Sequence, residues 1–161
     1  MKIISRWDEE KVLWEDDGET LRESLVAAVA AEADLAGADL TRAYLGWTYL
    51  ERAKLAGANL TRAYLHWADL AEADLERAIL AGANLVGTNL AEADLTGADF
   101  TGAILVATNL AGADLAGADL TGAYLGGAKR VGTNLVWADL TGADLGEEET
   151  TDGSPEEGGA R

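Results

Sequence analysis

His66 is the single imidazole of the chain, and nothing in the sequence places a nucleophile beside it. The serines stand at Ser5, Ser24 and Ser154, and no spacing pairs any of them with His66. Cysteine is absent, so no thiolate nucleophile, disulfide or thiolate metal site is available. No glycine-rich phosphate loop is followed by a lysine. Carboxylates are abundant, but they do acid–base work only where water is excluded and their pKa values are driven apart. The repeat described below sets them on a convex surface. The glycine–aspartate nonapeptide that binds calcium is missing as well. The sequence therefore predicts no catalytic residue, no cofactor site and no metal site, and a protein that is not an enzyme.

Two other groups of side chains have a spacing that invites a functional reading. Tyr44 and Tyr64 lie 20 residues apart, as do Trp47 and Trp67, with Tyr49 and His66 between them. Exposed aromatic residues gathered on one surface are a mark of protein interfaces. They also stabilise a wall simply by stacking from layer to layer. The second group is acidic. Asp74, Asp94 and Asp114 form one series at intervals of 20, and Asp99, Asp119 and Asp139 form another. Stacked like charges repel. Such ladders fit either imitation of a phosphate backbone or local turn chemistry combined with solubility. A weaker series, Thr41, Thr61, Thr101, Thr121 and Thr141, is broken by Ala81 and is too narrow for an ice-binding face.

What must position these residues is an internal repeat. From Leu35 to Leu145, 23 positions recur at every fifth residue; leucine fills all but Phe100 and Arg130. Two residues before each stands alanine, or threonine at Thr48, Thr88, Thr108 and Thr133. A helix cannot use this spacing, because a five-residue step rotates the side chain by roughly 140° and leaves no stripe. An extended segment can, because residues two apart share a face. Alanine and leucine then point inward, the residue between them points outward, and the remaining two turn a corner. The second corner residue is often glycine, which accepts unusual dihedrals. The recurrence at 20 residues makes four pentapeptides per coil, hence four walls. Thr48, Thr88 and Thr108 fall on one wall, and their hydroxyls are expected to bond backbone carbonyls.

The run ADLAGADLTRAYL, continued to residue 145, resembles the pentapeptide-repeat proteins. The resemblance implies an all-β solenoid, a right-handed quadrilateral parallel β-helix. In the bacterial and phage members it also implies a hairpin-and-helix start. The residues agree with such a cap over 1–30: strands over Lys2–Trp7 and Lys11–Glu15 around Asp8-Glu9-Glu10, then a helix begun by Thr20 with Glu23 in a capping box. Leu21, Leu25, Val26 and Val29 are expected to face the first coil. The β-helix occupies 31–145, roughly 28 Å long at ~4.8 Å per layer. Residues 146–161 are acidic and rich in Gly, Ser and Pro, and predict a disordered tail. Arg130 is the charged exception at an inward position. Its guanidinium is expected to leave through an open carboxyl end, unless the wall bulges there.

Charge bounds the partners. The chain has 161 residues with a formal net charge of -17. No segment is basic, which disfavours direct nucleic-acid binding and an anionic membrane surface. No apolar run is long enough to span a bilayer, and no secretory signal is visible, so the expected location is cytoplasmic. The expected function is a non-enzymatic interaction or scaffold module, an acidic rod that is partly aromatic and binds a protein partner still to be identified. Two alternatives stand beside it. The resemblance allows a DNA mimic that protects or inhibits a DNA-binding enzyme such as gyrase. Those relatives usually carry projecting loops and an apolar carboxyl-terminal helix, and this chain has neither pattern. The other alternative is a structural element without a dedicated partner. The expected state is a monomer or a weak end-to-end homodimer through the carboxyl-terminal coil.

Overall fold

The computed structural model describes residues 2–6, 11–15 and 17–146. Within them the chain winds from residue 31 onward as a four-sided parallel β-helix. Each wall is three residues of extended chain, and residues 20 apart pair in parallel, as Tyr44 does with Tyr64 and Asp74 with Asp94. We number the walls by their first inward leucine: Leu35 lies on the first, Leu40 on the second, Leu45 on the third and Leu50 on the fourth.

The repeat closes its own backbone hydrogen bonds. The inward leucine donates to the next coil, as Leu40 N–H does to the Asn59 carbonyl at 2.8 Å. The outward residue donates to the previous one, as Asn59 N–H does to the Ala38 carbonyl at 2.8 Å. At each corner the following alanine donates back across the turn, as Ala43 N–H does to Leu40 at 3.0 Å. Such pairing is what allows backbone to run so close to an apolar interior. That interior is one continuous cluster of leucine and alanine with Phe100 within it, running from the cap to Leu125.

The corners depart from the simplest expectation. Every second corner position from 32 to 142 lies in the left-handed region, whether or not it is glycine. Arg62 has φ 56°, Trp67 58° and Ala107 56°. The fold thus imposes a conformation that favours glycine and accepts larger residues at a cost of roughly 1–2 kcal/mol each.

The amino-terminal cap consists of β1 (Lys2–Ile4), β2 (Val12–Glu15) and α1 (Leu21–Ala30). β1 and β2 are antiparallel, with a register shift between Ile3 and Ile4. Strand β1 stops short of the expected Trp7, which lies outside the described residues, as do Asp8, Glu9 and Glu10. Chain continuing from β1 meets the second wall of the first coil: Asp39 N–H donates to Ile4 at 3.0 Å and Arg6 N–H to Gly37 at 2.7 Å. Helix α1 starts with the capping box of Thr20 and Glu23. It buries Ser24, Leu25 and Ala28 on the first coil, with Leu21 and Val29 half-buried. Val26, expected inward, is exposed. It follows Leu25 directly, about 100° further round the helix, and so is carried off the contact face.

At the other end no described residue covers the last coil. Leu135 and Leu140 are half-buried and Leu145 is exposed. The backbone N–H groups of Arg130, Leu135, Leu140 and Leu145 have no hydrogen-bond acceptor among the described residues. Arg130 is half-buried at this mouth with Leu110, Leu125 and Leu145 around it. Its wall stays in register, because Lys129 N–H still donates to the Thr108 carbonyl at 2.9 Å. The tail expected beyond Gly146 lies outside the described residues.

One expectation about the interior needs correction. Thr88 and Thr108 do donate their hydroxyls to the Leu65 and Leu85 carbonyls, each at 2.8 Å. Thr48 is equally buried, and its hydroxyl has no partner among the described residues. The acceptor used by Thr88 and Thr108 comes from 23 residues upstream. For Thr48 that position is Leu25, which belongs to α1 and not to a coil.

Candidate functional site

The predicted aromatic residues gather on the third wall and its corner with the fourth. Tyr44 and Tyr64 occupy the outward position of successive coils. Their rings stack with centroids 4.7 Å apart and planes within 3°. Trp47 and Trp67 occupy successive corner positions and stack at 5.6 Å and 17°. The layer spacing of a β-structure is close to a comfortable ring separation, so the wall itself pre-sets the stack. Tyr44 remains 77% exposed and Trp47 61% exposed. Tyr49 stands alone on the fourth wall, around the corner from Trp47, where it pairs in the ladder with Asp69 and not with another ring.

Two glycines make room for this cluster. A Cβ on Gly46 would come within 2.5 Å of the His66 imidazole. A Cβ on Gly87 would come within 2.6 Å of the Trp67 indole. Each ring therefore lies down on the backbone of a neighbouring coil. Helix α1 braces the same corner, with Arg22 Nη2 donating to the Trp47 carbonyl at 2.6 Å. Beside Tyr44, a groove of about 520 Å³ runs between the helix start and the first coil, lined by Arg22, Thr41 and Arg42 among others. The cluster can present flat apolar rings edged with guanidinium groups, and it offers no enclosed volume for chemistry.

The acidic ladders lie where the period places them, Asp74, Asp94 and Asp114 on the first wall and Asp99, Asp119 and Asp139 on the second. Each carboxylate is also engaged locally. Asp74 Oδ1 accepts from Glu76 N–H at 3.1 Å, Asp94 from Thr96 at 3.0 Å and Asp114 from Ala116 at 2.9 Å. Asp99, Asp119 and Asp139 accept from Thr101, Thr121 and Thr141, each at 2.9 Å. Every outward Asp or Asn of the coils makes this turn contact, which holds the corner that follows it. The Thr141 hydroxyl and then its N–H hold the Asp139 carboxyl below the usual aspartate range. Amides interrupt the repulsion elsewhere: Asn134 Nδ2 donates to Asp114 at 2.9 Å, and Asn89 to Asp69 at 2.9 Å. No cluster of three or more His, Cys, Asp or Glu suited to a metal occurs among the described residues.

The sequence reading missed the extent of the third wall. Beyond the two stacked pairs, Ile104, Val106 and Tyr124 are exposed on the same wall. Over residues 42–47, 62–67, 82–87, 102–107 and 122–127 it carries no carboxylate at all. Among its described residues the sole acid is Asp144, in the sixth coil. Writing the chain in rows of 20 and reading the columns for missing charge, as well as for repeated residues, would have found this.

Comparison with known proteins agrees with the geometry. The model of the family described as pentapeptide repeats matches in eight copies, over segments reaching from residue 24 to residue 146. A pentapeptide repeat protein from the cyanobacterium Cyanothece 51142 is 41% identical over 56% of this chain and 62% of its own, with a TM-score of 0.55. One from the thylakoid lumen of Arabidopsis thaliana is 30% identical over 70% of this chain and 68% of its own, with a TM-score of 0.54. HetL, from the cyanobacterium Nostoc sp. strain PCC 7120 and involved in heterocyst differentiation regulation, is 25% identical over 71% of this chain and 81% of its own, with a TM-score of 0.50. The chain thus spans less than two thirds of the Cyanothece protein's length. None of the curated proteins matches it. These likenesses give the β-helix its right hand.

Proposed function

Because the chain belongs to the pentapeptide-repeat family, we propose that it is a non-enzymatic interaction module which engages a protein through its third wall. The observation that carries this reading is the exposed double stack of Tyr44 on Tyr64 and Trp47 on Trp67, with His66 and Tyr49 at its margin. Rigid aromatic rings held in place before binding lose little conformational freedom on contact, which is why such residues anchor interfaces. The open sixth coil supports a weak end-to-end contact between two copies, with a monomer as the alternative. A cytoplasmic location is supported by the cysteine-free sequence.

The test is affinity capture with the wild-type chain against a variant carrying Y44A, W47A, Y64A and W67A, both checked for fold by circular dichroism. Loss of a specific partner from the variant supports the reading. Identical partner profiles refute it and favour a purely structural element.

A DNA-mimic role is the second reading, favoured by the three-rung acidic ladders on neighbouring walls. We rank it lower because each carboxylate already serves its own corner. A gyrase supercoiling assay decides it: no effect at large molar excess removes this reading.

A further inference from the structure

The apolar third wall runs nearly the whole length of an otherwise strongly acidic rod, and its two ends differ in a complementary way. At the amino-terminal end its side chains are large, and two of them are guanidinium cations: Arg42, Arg62, His66 and Trp67. In the same columns at the other end stand glycines, and around an added Cβ at Gly122, Gly126, Gly127 or Gly142 no described residue lies within 4 Å. The single acid, Asp144, is also at that end.

From this arrangement we infer that the occupant of the third wall is the third wall of a second copy of the chain, lying antiparallel. The inference rests on the reading of this wall as an interface and names its partner. A two-fold axis lying in the interface, across the rod between the third and fourth coils, sets the first coil against the sixth and the second against the fifth. Such an axis keeps each column opposite itself. Arg42 then faces Gly142, Arg62 faces Gly122, His66 faces Gly126 and Trp67 faces Gly127. Each large side chain meets a position without one. Tyr64 meets Tyr124, and Arg42 comes within reach of Asp144 on the second copy. A parallel pairing, about an axis along the rod, would reverse the columns: Arg42 and Arg62 would face Trp47 and Trp67, large against large, while Gly122 would face Gly127.

Charge selects the same face. With a net charge of -17, two copies repel wherever their acidic walls approach. The third wall is the one face that brings no like carboxylates together over five coils. A strip one wall wide and about 24 Å long, five spacings of ~4.8 Å, belongs at the small end of specific interfaces, at or below ~1,200 Å² in total. The dimer is therefore weak and reversible.

The experiment is sedimentation velocity on the full chain from low to high micromolar concentration, with two further arms. Gly126 has an ordinary φ and open space, and its column already carries His66, Val86 and Val106, so Gly126→Trp folds while filling the space that His66 of the second copy needs. It is expected to weaken association by at least about tenfold. In the second arm Tyr64→Cys and Tyr124→Cys, made separately in this cysteine-free chain, are treated with a bis-maleimide of about 10 Å reach, the distance between packed β-faces. Cross-linking in the mixture and not in either variant alone is the expected result. A chain that stays monomeric at high concentration overturns the inference, as does cross-linking of like with like, or association that Gly126→Trp leaves unchanged. A monomer that still captures a foreign protein through Tyr44, Trp47, Tyr64 and Trp67 overturns self-pairing alone and leaves the interaction reading standing.

Discussion

Thr48 and Thr88 occupy equivalent inward positions on the fourth wall, two coils apart, and should respond in opposite directions to the same substitution. Valine replaces the hydroxyl by a methyl group of similar size. At Thr88 this removes a buried hydrogen bond of 2.8 Å to the Leu65 carbonyl. That carbonyl keeps the N–H of Ala68 at 2.9 Å, so no acceptor is stranded, and the loss is about 0.5–1.5 kcal/mol. At Thr48 the hydroxyl is buried without a partner among the described residues. Removing it relieves a desolvation penalty, and the gain is about 1–3 kcal/mol. For a chain of this size about 1 kcal/mol moves the midpoint by roughly 2–4 °C, so the two variants, about 1.5–4.5 kcal/mol apart, should separate by about 3–18 °C. Thermal unfolding followed by circular dichroism, with urea titration for the free energies, measures this. Thr108→Val should track Thr88→Val, because its hydroxyl is bonded in the same way to Leu85. If Thr48→Val melts below wild type in step with the other two, the hydroxyl has a partner, and the account of how α1 replaces a coil is wrong.

Three further outcomes are expected. Ala107 sits at φ 56°, and Ala107→Gly should stabilise the chain by about 1 kcal/mol; Gly102→Ala, at φ 63° with nothing within 4 Å, should cost a similar amount, and urea midpoints report both. Gly46→Ala meets no left-handed φ but drives a Cβ into His66, so it should displace the ring and shift the NMR resonances of this single imidazole while the far-ultraviolet circular dichroism stays. Asp139 should titrate below a normal aspartate in an NMR pH series, and Thr141→Ala should move it back up, because the Thr141 hydroxyl is the principal cause of the depression. A depressed carboxylate contributes its stability above the unfolded-state pKa and loses it as pH falls through the folded value. The contact should therefore weaken only in acid, below the ordinary aspartate range.

The fold was legible because each wall repeats the same physical demand. A leucine inside and an alanine two residues earlier are dictated by a narrow square tube, and the period of 20 counts its sides directly. The stacked aromatics were legible for the same reason, since an outward residue keeps its column from coil to coil. The cap was read less completely. Thr20 and Glu23 announce the helix start through backbone chemistry, whereas the facing of Val26 depends on how α1 rolls onto the first coil, and that is a tertiary fact. Thr48 was misread because its sequence environment matches those of Thr88 and Thr108 while its neighbour along the axis does not. The corners hid their demand: Trp47 and Arg62 give no sign in their chemistry that the backbone beneath them is left-handed.

A wall is a property of position modulo 20, and this constrains how such a gene can change length. Loss or gain of four pentapeptides together removes or adds one storey and leaves every remaining side chain facing as before. Loss of a single pentapeptide keeps the interior satisfied but turns everything downstream by a quarter revolution. Tyr124 would then leave the side that bears Tyr44 and Tyr64, and Lys129 of the fourth wall would swing round to take its place. The tube would tolerate the shorter edit; the outer face, with whatever it recognises, would not.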